Sequence, residues 1–205
     1  MTSRTRSVVI VASQRRREGS SRRSPRAARK LATRVLIVCG GACTEKQYFD
    51  ELRRWVRNPA VKVKIKSEVG SPSQVVRYAA GFMNRSDSDF DAVWAVVDVD
   101  DFTDLEQAVR ESRRTGVHLA VSNPCFELWL LLHLVDHRHE VTTPEVQKLL
   151  QRHCSAYDKT RIRFADFADG IDDACGRAQR LEPSGRTHTS NPSTNVWRLV
   201  GEVRS

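Results

Sequence analysis

Val93-Trp94-Ala95-Val96-Val97-Asp98-Val99-Asp100-Asp101 decides how the rest of the chain reads. Five consecutive apolar residues, Val93 to Val97, match a strand buried on both faces, as found inside a parallel sheet. The run stops at Asp98, and acids follow at Asp100 and Asp101. A buried strand that ends in clustered carboxylates places them at the carboxyl edge of a parallel sheet, where open α/β folds build their sites. Alternation along an extended chain predicts Asp98 and Asp100 on one side and Asp101 on the other. Two carboxylates on one side suit a hard cation such as Mg²⁺. The same segment also fits a helix N-cap, with Asp101 or Thr103 starting the helix that follows.

Upstream, Arg34-Val35-Leu36-Ile37-Val38-Cys39 is a second buried-strand pattern, followed by Gly40-Gly41-Ala42-Cys43 and then Thr44-Glu45-Lys46-Gln47. Thr44 with Gln47 three positions on is a capping-box pattern, which predicts a helix to about residue 57. A strand, a glycine turn and a helix start can present backbone N–H groups to an anion. The Lys-Ser/Thr of a P-loop and the spacing of a dinucleotide fingerprint are both missing, which argues against those ligands. Val61-Lys62-Val63-Lys64-Ile65-Lys66 alternates as a half-exposed or edge strand. Its lysines could touch phosphate, but the charged open side that keeps edge strands from pairing is the reading favoured for them. Ser73 is expected to cap a helix through Met83 that buries Val75, Val76, Ala79 and Ala80. After the central strand come a helix from about 103 to 115, Gly116 just beyond its end, and a short strand over 117–121.

Ser122-Asn123-Pro124-Cys125-Phe126-Glu127-Leu128-Trp129-Leu130-Leu131-Leu132-His133 is apolar almost all round, which predicts a buried helix with Pro124 in its first turn and Asn123 or Ser122 as its cap. Glu127 in that setting needs a cation, a metal, or hydrogen-bond donors. Cys125 reads as a buried structural thiol, since no base is placed beside it. His133, His137 and His139 are expected at the surface. A helix from 143 to 153, a polar connection at 156–159, a helical region over 164–181 broken at Gly170 and Gly176, and a last helix from Thr194 to Val203 complete the chain.

The formal net charge is +9. Residues 1–33 hold ten of the 34 Lys/Arg and one of the 25 Asp/Glu, so residues 34–205 carry 24 of each. The basicity belongs to an arm, with Arg15, Arg16, Arg17, Arg22 and Arg23 at its centre. Such a composition predicts disorder and either phosphate binding or plain solubilisation. The rest reads as a single α/β domain, 34–205. Five Cys and no cleavable leader pattern fit reduced thiols in a cytoplasm. No stretch approaches the ~18 apolar residues of a membrane span. The Cys39/Cys43 pair has no second pair at zinc-ribbon spacing.

These stretches together resemble the RloB-like family, bacterial proteins found beside restriction and phage-defence genes. The likeness rests on Val35 to Phe49, Trp94 to Asp101, Ser122 to His133, Tyr157-x-Lys159 and Asn191-Pro192-Ser193-Thr194. That family in turn is similar to the Toprim module of topoisomerases, primases and phage-exclusion nucleases. The resemblance implies a Toprim-like, Rossmann-like parallel sheet of about four strands flanked by helices, with a helical extension over 140–205. It also implies Mg²⁺ or Mn²⁺ on Asp98 and Asp100, with Glu127 as a further ligand, and a nuclease-like activity. Lys159 and the arginines of the arm would contact nucleic acid. The family's first loop reads Cys-Glu-Gly, and its glutamate is the general acid/base of the Toprim module. Here that position is Gly40. Losing a positioned acid/base costs about 10²–10⁴-fold in rate. Either Glu45 or Glu127 takes the role beside Asp98, or a metal-bound water suffices, or the protein is a catalytically inactive nucleic-acid-binding or adaptor subunit that works with an ATPase partner.

Overall fold

A computed structural model describes residues 32–83, 89–99, 102–184 and 189–205. Asp100, Asp101 and the arm arginines Arg15, Arg16, Arg17, Arg22 and Arg23 lie outside the described residues. The elements run β1 (Thr33–Cys39), α1 (Thr44–Val56), β2 (Val61–Ser67), α2 (Pro72–Met83), β3 (Ala92–Asp98), α3 (Leu105–Thr115), β4 (His118–Asn123), α4 (Glu127–Leu134), α5 (Thr143–His153), α6 (Ile171–Leu181), β5 (Ser193–Thr194) and α7 (Val196–Arg204).

The sheet has the order β2-β1-β3-β4-β5. β1 to β4 pair in parallel, as the apolar runs predict, and β5 adds a short antiparallel edge. The chain leaves β1 toward β2 on one side and returns to β3 on the other. The ends of β1 and β3 therefore flank a topological switch point, the crevice where open α/β sheets bind ligands. Gly40 and Asp98 stand at those two strand ends.

Alternation divides the core. Val35, Ile37, Trp94 and Val96 face α1, α4, α6 and α7, while Leu36, Val38, Val93, Ala95 and Val97 face α2 and α3. The last described residue of β3, Asp98, continues the Trp94–Val96 row toward the α1 and α4 side. α4 has no solvent face: Glu127 through His133 are all buried.

Several local expectations are corrected by tertiary contacts. Pro124 does not open α4, because Ser122 and Asn123 are strand residues paired with Thr194 and Ser193, and the helix begins only at Glu127. Thr194 for the same reason lies in β5, and α7 starts at Val196. Ser73 does not cap α2. The Asp104 carboxylate does so from the start of α3, accepting from Ser71 Oγ (2.5 Å) and the Ser73 amide (3.0 Å). These bonds outweigh partial burial and hold the Asp104 carboxyl below its usual range. Asp104, not Thr103, is the residue that precedes α3. Gly116 ends α3 at φ 78°, the left-handed geometry expected there. α6 runs through Gly176 unbroken, while two short 3₁₀ turns over 164–166 and 168–170 precede it. His118 stacks on Trp94 with ring centroids 4.9 Å apart.

His133 is in the core, not at the surface. Its Nδ1–H donates to the Trp129 carbonyl (2.8 Å), and Nε2 accepts from the Tyr48 hydroxyl (3.1 Å), so the ring is neutral. Burial pushes its pKa down to about 4. An unfolded histidine titrates near 6.5. Between those values the unfolded chain binds a proton that the folded chain refuses, so stability falls as pH drops through this window, by on the order of 3 kcal/mol. Urea unfolding of His133→Gln should therefore show a shallower loss between pH 6.5 and 4 than the natural protein.

β5 is short, and Asn195 extends its pairing. The Asn195 side chain accepts from the Val121 amide (2.6 Å) and donates to the Leu119 carbonyl (3.1 Å), completing the edge of β4 where strand pairing stops. Asn195→Ala leaves both groups buried without these partners. Each such loss costs about 1–3 kcal/mol, and denaturant melts should show a combined destabilisation of about 2–6 kcal/mol.

Candidate functional site

Three chain segments meet at the carboxyl edge of the sheet. The turn after β1 brings Gly41 to Glu45, the end of β3 brings Asp98, and the start of α4 brings Glu127. A fourth segment, Tyr157 to Thr160, arrives from the C-terminal extension. Gly41, Thr44, Glu45, Asp98, Glu127 and Lys159 line one cleft of about 280 Å³. A neighbouring cleft of about 420 Å³, toward α2, shares Gly41, Glu45 and Asp98 and adds Gly40 and Gly70.

Glu45 is the second residue of α1, yet it lies over the preceding loop. Helical side chains lean toward the N-terminus, so a residue in the first turn is aimed backward. Its carboxylate fills the space that a Cβ on Gly41 would take. Burial raises the Glu45 pKa, and the charge of Glu127 raises it further. The backbone amides of Glu45 and Gly41 and the Lys159 ammonium act in the opposite sense, without cancelling the shift.

Glu127 is 2% exposed and has the partners its burial requires. Lys159 Nζ lies 3.3 Å from Glu127 Oε1, and the Tyr157 hydroxyl donates to the same oxygen at 3.2 Å. The Lys159 side chain is itself 62% exposed, so its ammonium is shared between Glu127 and the cleft mouth. Burial works against the Lys159 charge, but Glu127 holds its pKa above the ordinary lysine value. Burial and the Glu127 carboxylate push the Tyr157 hydroxyl far up, which keeps it a neutral donor.

The segment that carries Lys159 is fastened to α1. Thr44 Oγ1 donates to the Lys159 carbonyl (3.0 Å), and Gln47 Nε2 donates to the Thr160 carbonyl (2.7 Å). The Ile162 amide donates back to Gln47 Oε1 (2.9 Å). Thr44 and Gln47 therefore do not form the expected capping box. The cap position is Cys43, and both polar side chains are used between segments. A capping box is present elsewhere, between Thr142 and Glu145 at α5.

Of the residues singled out in the sequence, Glu45, Asp98, Glu127 and Lys159 come together. Asp100 and the arm arginines lie outside the described residues. Cys125 is buried, and burial followed by the charges of Glu127 and Asp98 pushes its thiol far up, which disfavours a thiolate there. Thr44, Gln47 and Tyr157 join the site although local spacing does not mark them for it. Only the Tyr157-x-Lys159 pair carried a signal for the last of them. Among the described residues no group of three or more His, Cys, Asp or Glu is set around a single point as metal ligands. No helix among them is long and apolar enough to cross a membrane.

The family model described as RloB-like protein matches residues 35–203. Neither a curated protein nor a solved structure matches the chain.

The charges in the cleft are coupled, and the coupling has a sign. Glu127→Gln should lower the Glu45 pKa, and Lys159→Ala should raise it, both readable by carboxyl ¹³C NMR titration. Lys159→Ala also strands a buried carboxylate. Melts should register about 1–3 kcal/mol, less than for a fully buried pair because Lys159 is largely solvated.

Proposed function

The chain belongs to the RloB-like family, and on that premise we propose that it is a Toprim-related, Mg²⁺-dependent nuclease-like component of a bacterial phage-defence or restriction-linked system. The observation that carries this reading is the position of Glu45. Its carboxylate lies back over the Gly40-Gly41 loop, beside Asp98 and facing Glu127, so the cleft has a carboxyl group although Gly40 has none. A carboxyl whose pKa is raised by burial and by a second carboxylate is suited to giving or taking a proton.

In this reading Glu45 gives or takes a proton at the attacking or leaving oxygen of a phosphodiester. Lys159, paired to Glu127 yet open to solvent, meets a phosphate oxygen. The acceptors in the cleft are hard oxygens, the donor type that Mg²⁺ and Mn²⁺ prefer. The charge repulsion between Glu45 and Glu127 is the kind a bound cation relieves, so the donor chemistry fits such an ion. Asp98, Asp100 and Glu127 would hold it, and it would supply Lewis-acid polarisation of the phosphoryl group.

A non-catalytic subunit that binds nucleic acid and works with an ATPase partner is the second reading. The Glu127–Lys159–Tyr157 contact favours it, because the buried carboxylate already has an ammonium and a hydroxyl donor without an ion.

Incubation with single- and double-stranded DNA and RNA, with and without Mg²⁺ or Mn²⁺, separates the two. Metal-dependent cleavage should disappear in Asp98→Ala and fall about 10²–10⁴-fold in Glu45→Gln. Gly40→Glu should add nothing. A Cβ at Gly40 lies 3.1 Å from the Val96 carbonyl oxygen and 3.4 Å from Val75 Cγ2, so the new side chain starts against α2 while Glu45 keeps the role. Tight binding without cleavage under every condition would leave the binding subunit as the better account.

A further inference from the structure

Two features outside the carboxylate cleft lie along the α2 side of the sheet. The first is a row of lysines on the edge strand β2. Val61, Val63 and Ile65 pack toward α1, so Lys62, Lys64 and Lys66 project from the opposite face. Residues two apart on a strand are about 6.6 Å apart, so the row presents a linear series of positive charges. The ammonium of Lys66 sits 4.7 Å from the Phe82 ring centroid and 5.9 Å from that of Tyr78, and Lys64 lies 5.9 Å from that of Phe90. None of the three lysines is in an ion pair among the described residues. This matters because a ring quadrupole positions an ammonium without cancelling its charge, whereas a carboxylate would neutralise it. A charged edge that served only to block strand pairing would not need its lysines positioned on rings.

The second feature continues from the end of that row. β2 leads through Glu68 to Val69 at the wall of the 420 Å³ cleft, which also contains Glu45 and Asp98. Val69 is 72% exposed and Phe102 45% exposed. Three large hydrophobic side chains are conspicuously exposed among the described residues, and two of them line this one cleft. An unstacked nucleobase is the group that matches apolar walls at the end of a phosphate-binding row. A base inside a duplex is not free to enter.

We propose that Lys62, Lys64 and Lys66 carry the backbone of a single-stranded nucleic acid along the β2 edge and deliver an unpaired base between Val69 and Phe102, beside Glu45 and Asp98. The proposal rests on the nucleic-acid reading of the cleft and names its substrate as single-stranded. Among the described residues, Asp89 pairs with Arg34 at the far end of the row, Asp91 accepts from the Arg34 amide there, and Glu68 lies between the lysines and the cleft. Glu68 sets a gap in the positive track where the base turns in.

The test is fluorescence anisotropy with the full chain in EDTA. The probes are a labelled single-stranded 20-mer and a blunt-ended hairpin duplex of the same composition closed by a non-nucleotide linker, so that it has no unpaired base, titrated over a range of salt. The single strand should bind more tightly. Changing Lys62, Lys64 and Lys66 together to Gln should flatten the slope of log K against log salt by about 2, since each phosphate contact on a single strand contributes about 0.7. The same three changed to Arg should restore it. Phe102→Ala should weaken single-strand binding about 5- to 150-fold, the range for one lost stacking contact, and leave the hairpin unaffected. Melting curves of every variant establish that it is folded. An unchanged salt slope in the Gln variant, or equal affinity for hairpin and single strand, overturns the proposal. Binding in EDTA is independent of cleavage. Loss of the lysine dependence with cleavage intact overturns the strand path alone, and an intact lysine dependence with no cleavage in metal overturns the nuclease reading alone.

Discussion

The structure depends on how one buried charge is compensated. Glu127 opens a helix that is buried on every side, and a carboxylate there is costly unless donors reach it. Lys159 and Tyr157 supply them from about thirty residues downstream. That requirement draws the C-terminal extension onto the edge of the sheet, and Thr44 and Gln47 then hold it there through the carbonyls of Lys159 and Thr160. The extension thereby becomes a wall of the cleft, and the cleft acquires its cation.

The same contact sets the electrostatics. Lys159 neutralises Glu127 only in part, because its ammonium is largely exposed. Glu45 consequently still experiences the charge of Glu127 while being buried itself, and both effects act to raise its pKa. A fully compensated Glu127 would leave burial alone to act on Glu45. Two carboxylates in one cleft with unequal compensation is a common way to separate proton donor from ligand.

The fold contributes geometry without regard to chemistry. The order β2-β1-β3-β4-β5 puts the switch point between β1 and β3, so any residue placed just after either strand faces the crevice. Asp104 shows the same economy away from the cleft. It precedes its own helix but caps its neighbour α2, which fixes the loop containing Gly70 and Ser71 at the second cleft.

Much of this is local and legible in the chain. The apolar runs at 35–39 and 93–97 read as buried parallel strands because they are short, rich in β-branched residues and ended by glycines or acids. Asp98 and Glu127 stand out because a carboxylate beside an apolar run must be explained. The Rossmann-like layering follows from the alternation of those strands with amphipathic helices. The partners are what sequence could not supply. Thr44 and Gln47 satisfy the spacing of a capping box, yet the tertiary structure uses them to fasten a segment about 115 residues away. His133 reads as one of three clustered surface histidines, but packing on Tyr48 and Trp129 places it in the core. Ser122 and Asn123 read as helix caps, and a strand from the far end of the chain makes them sheet residues. Local spacing determines what a segment is able to form; which of its options is realised depends on which distant groups arrive to satisfy its polar atoms. Glu45 joins the two cases. Its type and its place in the first helical turn were set by sequence, and the backward lean of a helical side chain over Gly41 put its carboxylate in the cleft.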